Sequence, residues 1–99
     1  MGDEEKQPAA TQAGQLTEGI GVPTPTVGRI VHFYTKDTSK QRNGQGDGPY
    51  PAIVTQTWGG LMANLKVLPG FGEPYDEGSV SHEGVAAGHQ RWWVWPPRA

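Results

Sequence analysis

The sequence predicts an all-β fold, a small five-stranded SH3-like barrel preceded by a flexible N-terminal arm. The 99-residue chain has 15 glycines and 9 prolines, which recur too often for any long helix. Short β-branched and aromatic runs lie between these turn residues, and one long loop follows the first run. Five strands also fit an OB-like barrel. Without cysteine, neither a disulfide nor a thiolate-bound metal holds the domain together.

Residues 1–21 are predicted to form the acidic, flexible arm. They carry four acidic residues against a single lysine, and Leu16 and Ile20 supply little apolar surface to offset the entropy of ordering the segment. Residues 22–99 then form one nearly neutral domain. That charge balance gives no global field for attracting long nucleic acid.

The first strand is predicted over residues 28–35. Val31 and Phe33 point to one side and Ile30 and Tyr34 to the other, so the pattern implies burial on both faces. The preceding prolines suit an extended lead-in.

The remaining strands follow from alternation and turn residues. Strands over residues 52–58 and 61–68 form a hairpin with the two-residue turn Gly59-Gly60. In the second of these, Leu61, Ala63, Leu65 and Val67 alternate with polar residues, as a half-buried antiparallel strand requires. A short edge strand over 77–81 and a final strand over 90–95 complete the barrel.

Residues 36–49 are predicted to form a long, mobile loop. Its glycine-rich stretch leads into Pro49 and a strand instead of a helix, which excludes a nucleotide-hydrolase phosphate loop. The segment is either a plain connection or a flap over a small anion, with charge from Lys40 or Arg42. The acidic residues between 73 and 83 are either solvated or contact this basic loop in another subunit.

Residues 88–98 hold three of the four tryptophans. Alternation places Trp92 on one side of the final strand and Trp93 and Trp95 on the other, so a single small core cannot enclose every ring. The rings form either the core and a protein interface or a ligand site, where aromatics and arginines stack on bases and bind phosphate. The candidate ligand- or partner-binding residues are Trp92, Trp93, Trp95, Arg91, Arg98, Arg29, Tyr34, Lys40 and Arg42.

Catalytic and metal-binding patterns are not evident in the sequence. Ser79 and Ser81 lie near His82, but the sequence supplies no third group to orient such a pair. His32, His82 and His89 lie in separate segments without zinc-site spacing. We therefore expect a protein that is not an enzyme and uses no cofactor or metal.

Several sequence blocks resemble a known family. Residues 25–34, 46–55, 63–67, 77–80 and 91–98 contain the runs VGRIVHFY, GPYPAIVT and RWWVWPPR. Together they are similar to a family of small uncharacterised proteins encoded by tailed bacteriophages and prophages. The resemblance covers residues 25–98 and leaves out the arm. It implies a phage origin and assigns no catalytic or binding residues.

Two functions stay open at this point. The first is a non-catalytic, homo-oligomeric binding protein that sequesters a small anionic, nucleotide-like ligand in the host cytoplasm as a counter-defence. The second is a virion accessory, a head decoration or connector, that binds a capsid lattice through the barrel and the arm. The sequence has neither the basic and apolar regions of a secretory signal nor an apolar run long enough for a membrane span, so we expect a soluble product.

Overall fold

Five antiparallel strands form one curled sheet, a half-barrel, in the computed structural model, which describes residues 21–86 and 88–97. The strands are β1 (Ile30–Thr35), β2 (Tyr50–Thr57), β3 (Met62–Val67), β4 (Tyr75–Ser81) and β5 (Arg91–Val94), and a short 3-10 helix (Glu83–Val85) precedes β5. Their order in the sheet is β4-β3-β2-β1-β5. The predicted all-β class is confirmed, and the architecture is consistent with a small SH3-like barrel. Residues 1–20 of the predicted arm lie outside the described residues.

The core covers the concave face of the sheet. The alternation predicted for β3 is confirmed, because Ala63, Leu65 and Val67 are all buried on this face. Trp93 from β5 is the largest fully buried side chain, and its Nε1 donates a hydrogen bond to the Leu61 carbonyl at 3.0 Å. The ring thereby ties the last strand to the β2-β3 connection.

The β2-β3 hairpin is present, but its turn is longer than predicted. Ala52 pairs with Val67 and Val54 with Leu65, which is the register that a two-residue glycine turn requires. A bulge between Val54 and Gln56 then shifts the pairing by one residue. The strands consequently separate before Trp58, whose side chain is 53% exposed beyond the end of β2 instead of inside the strand.

Burial on β1 is one-sided, which corrects the prediction of burial on both faces. Val31 and Phe33 are fully buried in the core, whereas Ile30 is 47% exposed and Tyr34 only half-buried. The open sheet supplies one apolar layer, so the outer side of β1 has no second layer among the described residues.

The two edge strands meet around His82. This residue forms an isolated parallel bridge with Trp93, and its imidazole packs edge-on against the indole at 4.9 Å. His82 Nδ1 accepts a hydrogen bond from the Gly84 backbone N–H at 2.9 Å and so caps the 3-10 helix. Burial lowers the pKa of His82, and the nearby Glu83 carboxylate partly opposes this shift. A neutral imidazole fits its role as a hydrogen-bond acceptor.

Candidate ligand-binding groove

The predicted site residues lie in four different environments. Trp93 is in the core, and its zero exposure corrects the expectation that it contributes contact area. Arg98 lies outside the described residues. The other seven divide into a groove pair, Arg29 and Trp95; an outer-face pair, Tyr34 and Trp92; and a loop network containing Lys40, Arg42 and Arg91.

The groove lies where the end of β5 meets the start of β1. It has a volume of about 640 Å³ and is lined by Pro23, Gly28, Arg29, Ile30, Trp95, Pro96 and Pro97. This volume is within the range typical of small-molecule sites, about 300–1,000 Å³. Proline rings, an isoleucine and an indole make most of the lining apolar, and arginine supplies its only formal charge.

The Arg29 and Trp95 side chains at the groove are both held in place. Trp95 Nε1 donates to the Pro23 carbonyl at 3.0 Å, and the Trp95 ring packs edge-on against Trp93 at 5.3 Å. The Arg29 guanidinium lies over the Trp95 ring, 4.9 Å from its centroid. The backbone of Arg29 is also fixed, because its carbonyl accepts from the Val54 N–H at 2.9 Å and its N–H donates to Thr26. The pair is therefore oriented by contacts within the chain.

The groove combines the features needed to bind a small anion that carries a ring. A guanidinium has five N–H donors, and stacking over Trp95 leaves those at its edge available to phosphate or carboxylate oxygens. Among the described residues, no carboxylate lies within ion-pair distance of Arg29. The indole and the proline rings offer apolar faces against which a planar group can pack. A single cation suits a compact ligand better than a long polyanion.

A second aromatic pair lies on the convex outer face of the sheet. The rings of Tyr34 and Trp92 are stacked, 5.6 Å apart and 4° from parallel, on adjacent strands. Ile30 pairs with Ile53 and His32 with Val94 on the same face. This outer apolar face, made of Ile30, His32, Tyr34, Ile53, Trp92 and Val94, spans β2, β1 and β5 and is only partly buried. His32 lies on this face and is half-buried.

The loop 36–49 makes hydrogen bonds to β2 and β4, and its mobility stays a prediction. The Tyr50 hydroxyl donates to the Gly46 carbonyl at 2.6 Å and accepts from the Arg42 N–H at 3.0 Å. The Tyr75 hydroxyl donates to the Lys40 carbonyl at 2.9 Å. Burial, assisted by the Glu77 charge, raises the pKa of Tyr75 to about 12. The neutral hydroxyl is therefore retained at physiological pH.

The basic loop and the acidic segment meet inside one chain, at the buried carboxylate of Glu77. Lys40 Nζ lies 2.9 Å from one carboxylate oxygen and Arg91 Nη1 lies 3.0 Å from the other. Both Lys40 and Arg42 also lie over the Tyr75 ring, at 5.1 and 5.3 Å from its centroid. Lys40 and Arg42 thus anchor the loop through contacts within one chain. The sequence-based alternatives were solvated acidic residues or a contact between subunits, and neither included this pairing.

Sequence reasoning missed the residues that position these clusters. Tyr50, Tyr75 and Glu77 contact loop residues 4 to 37 positions away in the chain. All of these contacts except Tyr50–Gly46 span at least eight residues, so no local pattern marks them. Pro23 was assigned only to an extended lead-in, yet its carbonyl holds Trp95. The available signals were the acidic residues between 73 and 83 and the position of Tyr50 directly after the basic loop.

Within residues 21–86 and 88–97, no group of three or more histidine, aspartate or glutamate side chains is placed to hold a metal ion. No helix in the same part of the chain is long and apolar enough to cross a membrane.

The fold and groove define a small antiparallel β half-barrel in which an arginine just before the first strand lies over an indole just after the last strand. No known family profile, curated protein or solved structure matches the chain.

Proposed function

We propose that the protein is a non-catalytic binding protein of phage type that sequesters a small anionic, nucleotide-like ligand in the groove between β1 and β5. The observation that carries this proposal is the Arg29 guanidinium held over the Trp95 ring at the wall of a groove of about 640 Å³. The guanidinium edge would bind a phosphate, and the indole and proline surfaces would pack against the base or sugar. Counter-defence follows from the phage resemblance combined with ligand capture without turnover.

The test is isothermal titration calorimetry of the full chain against a panel of mono-, di- and cyclic nucleotides and simple carboxylates. Arg29→Gln removes the groove charge and should weaken binding of the preferred ligand at least about tenfold, equivalent to about 1.4 kcal/mol. Lys66→Gln is the matched control. It also removes one positive charge, but Lys66 on β3 pairs with Asp76 on β4 and does not line the groove. Absence of binding across the panel, or equal losses in both variants, would contradict the proposal.

We further propose that the protein is a homo-oligomer assembled through the outer apolar face. The stacked Tyr34 and Trp92 rings and the 47% exposed Ile30 provide apolar surface on the two adjacent strands β1 and β5, and the sheet has no second layer there among the described residues. A two-fold contact would place the same face of each subunit against its partner. Analytical ultracentrifugation should detect an oligomer that Trp92→Glu dissociates while the circular dichroism spectrum is retained.

The same outer face favours a second candidate function, a virion accessory that docks on a capsid lattice. In this alternative the apolar face contacts capsid protein instead of a second copy, and residues 1–21 extend over a neighbouring subunit. Immunoblotting of washed, purified virions distinguishes the two candidates. Presence at stoichiometric amounts supports the accessory role, whereas absence from particles and abundance in the infected-cell extract support ligand sequestration.

A further inference from the structure

A second, smaller pocket lies where the two edge strands of the sheet approach each other. It has a volume of about 300 Å³ and is lined by Ser79, Ser81, His89, Gln90 and Arg91. Two hydroxyls, an imidazole, a carboxamide and a guanidinium therefore surround it, and its lining contains no carboxylate. It shares no residue with the groove around Trp95.

The walls of this pocket are fixed by backbone contacts. The Ser79 N–H donates to Asn64 Oδ1 at 2.8 Å, and Ser79 has a φ of 55°, a left-handed conformation that is uncommon for serine. The His89 N–H donates to the Ala86 carbonyl at 2.8 Å, and the Gln90 carbonyl accepts from the Lys36 N–H at the same distance. Non-glycine residues with strained backbone conformations cluster at binding sites, where the surrounding structure holds them despite the energetic cost.

Ser81 gives an independent indication of a ligand. The residue is 6% exposed and lines the pocket, and its hydroxyl has no hydrogen-bond partner among the described residues. Buried polar groups are normally paired. A donor in this position is satisfied when an acceptor occupies the pocket.

The charge beside the pocket favours an anion. Arg91 donates from Nη1 to Glu77, and Lys40 pairs with the other oxygen of the same carboxylate, so two cations share one anion. This pairing orients the Arg91 guanidinium and leaves further N–H donors on it. Hydroxyl donors and a guanidinium are the groups that commonly contact phosphate in proteins.

We propose that this pocket binds a tetrahedral oxyanion of the phosphate type, either the free ion or the terminal group of a phosphate monoester. Its volume is at the small end of ligand pockets and suits one such group. The Ser79 and Ser81 hydroxyls and the Arg91 guanidinium donate to the oxyanion.

The test is a titration of the full ¹⁵N-labelled chain with inorganic phosphate, followed by amide and arginine side-chain chemical shifts. Sodium chloride at matched ionic strength is the reference, and ribose 5-phosphate is the monoester probe. We expect phosphate-specific, saturable shifts at residues 79–81 and 88–91. Saturation by inorganic phosphate assigns the pocket to the free ion, and tighter binding of ribose 5-phosphate assigns it to a monoester.

Four variants separate binding from folding and from the groove. Ser81→Ala should weaken phosphate binding at least about tenfold, because it removes a hydrogen bond to a charged group. Ser79→Gly should also weaken binding while the thermal midpoint stays equal or rises, because glycine accepts a positive φ without strain. Ser39→Ala, in the exposed loop, should leave binding unchanged. Arg29→Gln should leave the shifts at residues 79–81 and 88–91 unchanged while it removes any phosphate-dependent shifts at the groove residues.

The absence of phosphate-specific shifts for either probe would overturn this inference, as would equal affinity in Ser81→Ala and Ser39→Ala. Because Arg29→Gln changes only the groove, failure here and failure of the proposed nucleotide site are distinguishable.

Discussion

Replacing Glu77 by glutamine should destabilise the domain more than any other conservative change to a carboxylate among the described residues. The Glu77 side chain is 9% exposed and binds Lys40 at 2.9 Å and Arg91 at 3.0 Å. A glutamine keeps one acceptor oxygen and turns N–H donors toward the second cation. The variant thus loses one charge-assisted hydrogen bond and the attraction to both cations.

The magnitude follows from the exposure of the partners. A hydrogen bond to a charged group contributes about 1.5–3 kcal/mol, and removing one partner of a fully buried ion pair costs about 3–5 kcal/mol. The Lys40 and Arg91 side chains are 37% and 36% exposed, so water compensates part of that loss. We expect a decrease of about 2–3 kcal/mol in the free energy of unfolding.

The adjacent residue provides the control. Asp76 lies next to Glu77 on β4 and pairs with Lys66, but its side chain is 78% exposed. Asp76→Asn should change the free energy of unfolding by less than about 1 kcal/mol. Urea unfolding of both variants and the wild type, followed by tryptophan fluorescence, measures the difference. Equal effects of the two substitutions would refute the assignment of Glu77 as the anchor of loop 36–49.

Three further predictions concern the core, a glycine and pH. Trp93→Ala should lower the free energy of unfolding by about 3–5 kcal/mol in urea titrations, because a fully buried ring is lost. Gly48→Ala should lower it by at least about 2 kcal/mol in the same assay, since Gly48 has a φ of 135° and a Cβ would lie 2.7 Å from the Phe33 carbonyl oxygen. The lowered pKa of His82 means that the imidazole binds a proton more readily in the unfolded chain than in the folded one. The free energy of unfolding should therefore be highest above about pH 6.5 and decline as the pH falls below that value. His82→Asn should reduce this decline, which urea midpoints measured across this pH range would show.

Each prediction has an outcome that contradicts it. A loss below about 1 kcal/mol for Trp93→Ala would place that ring outside the core. Wild-type stability of Gly48→Ala would mean that the backbone there adopts another conformation. An unchanged acid response in His82→Asn would assign the decline to other groups, such as Asp37, whose pKa is lowered by its hydrogen bonds to the Ser39 side chain and backbone.

The strands were predictable because their information is local. The alternation of apolar and polar residues over 61–68, and the alternation of side-chain direction around Trp93, predicted which side chains face the core. The structure confirms this prediction, because Ala63, Leu65, Val67 and Trp93 are buried. The bulge after Val54 was not predictable, since it depends on how β2 fits both of its neighbours. For the same reason, the long turn after β2 replaced the expected two-glycine turn.

The candidate site was predicted only in part. Pairing of aromatic rings with arginine was foreseen, and Arg29 does lie over Trp95. The sequence did not show, however, that Glu77 pairs with Lys40 and Arg91, or that Lys40 and Arg42 lie over the Tyr75 ring. Which cation meets which carboxylate depends on strand order, and strand order is not encoded in any short segment.

Native mass spectrometry of the full chain purified from the cells that express it tests the central claim most directly, because it measures subunit number and bound small molecules together. The account predicts an oligomer that retains a phosphate-bearing small molecule, and the loss of that molecule in Arg29→Gln. A bare monomer in the wild type would contradict both the ligand role of the Arg29–Trp95 groove and the contact role of the outer apolar face.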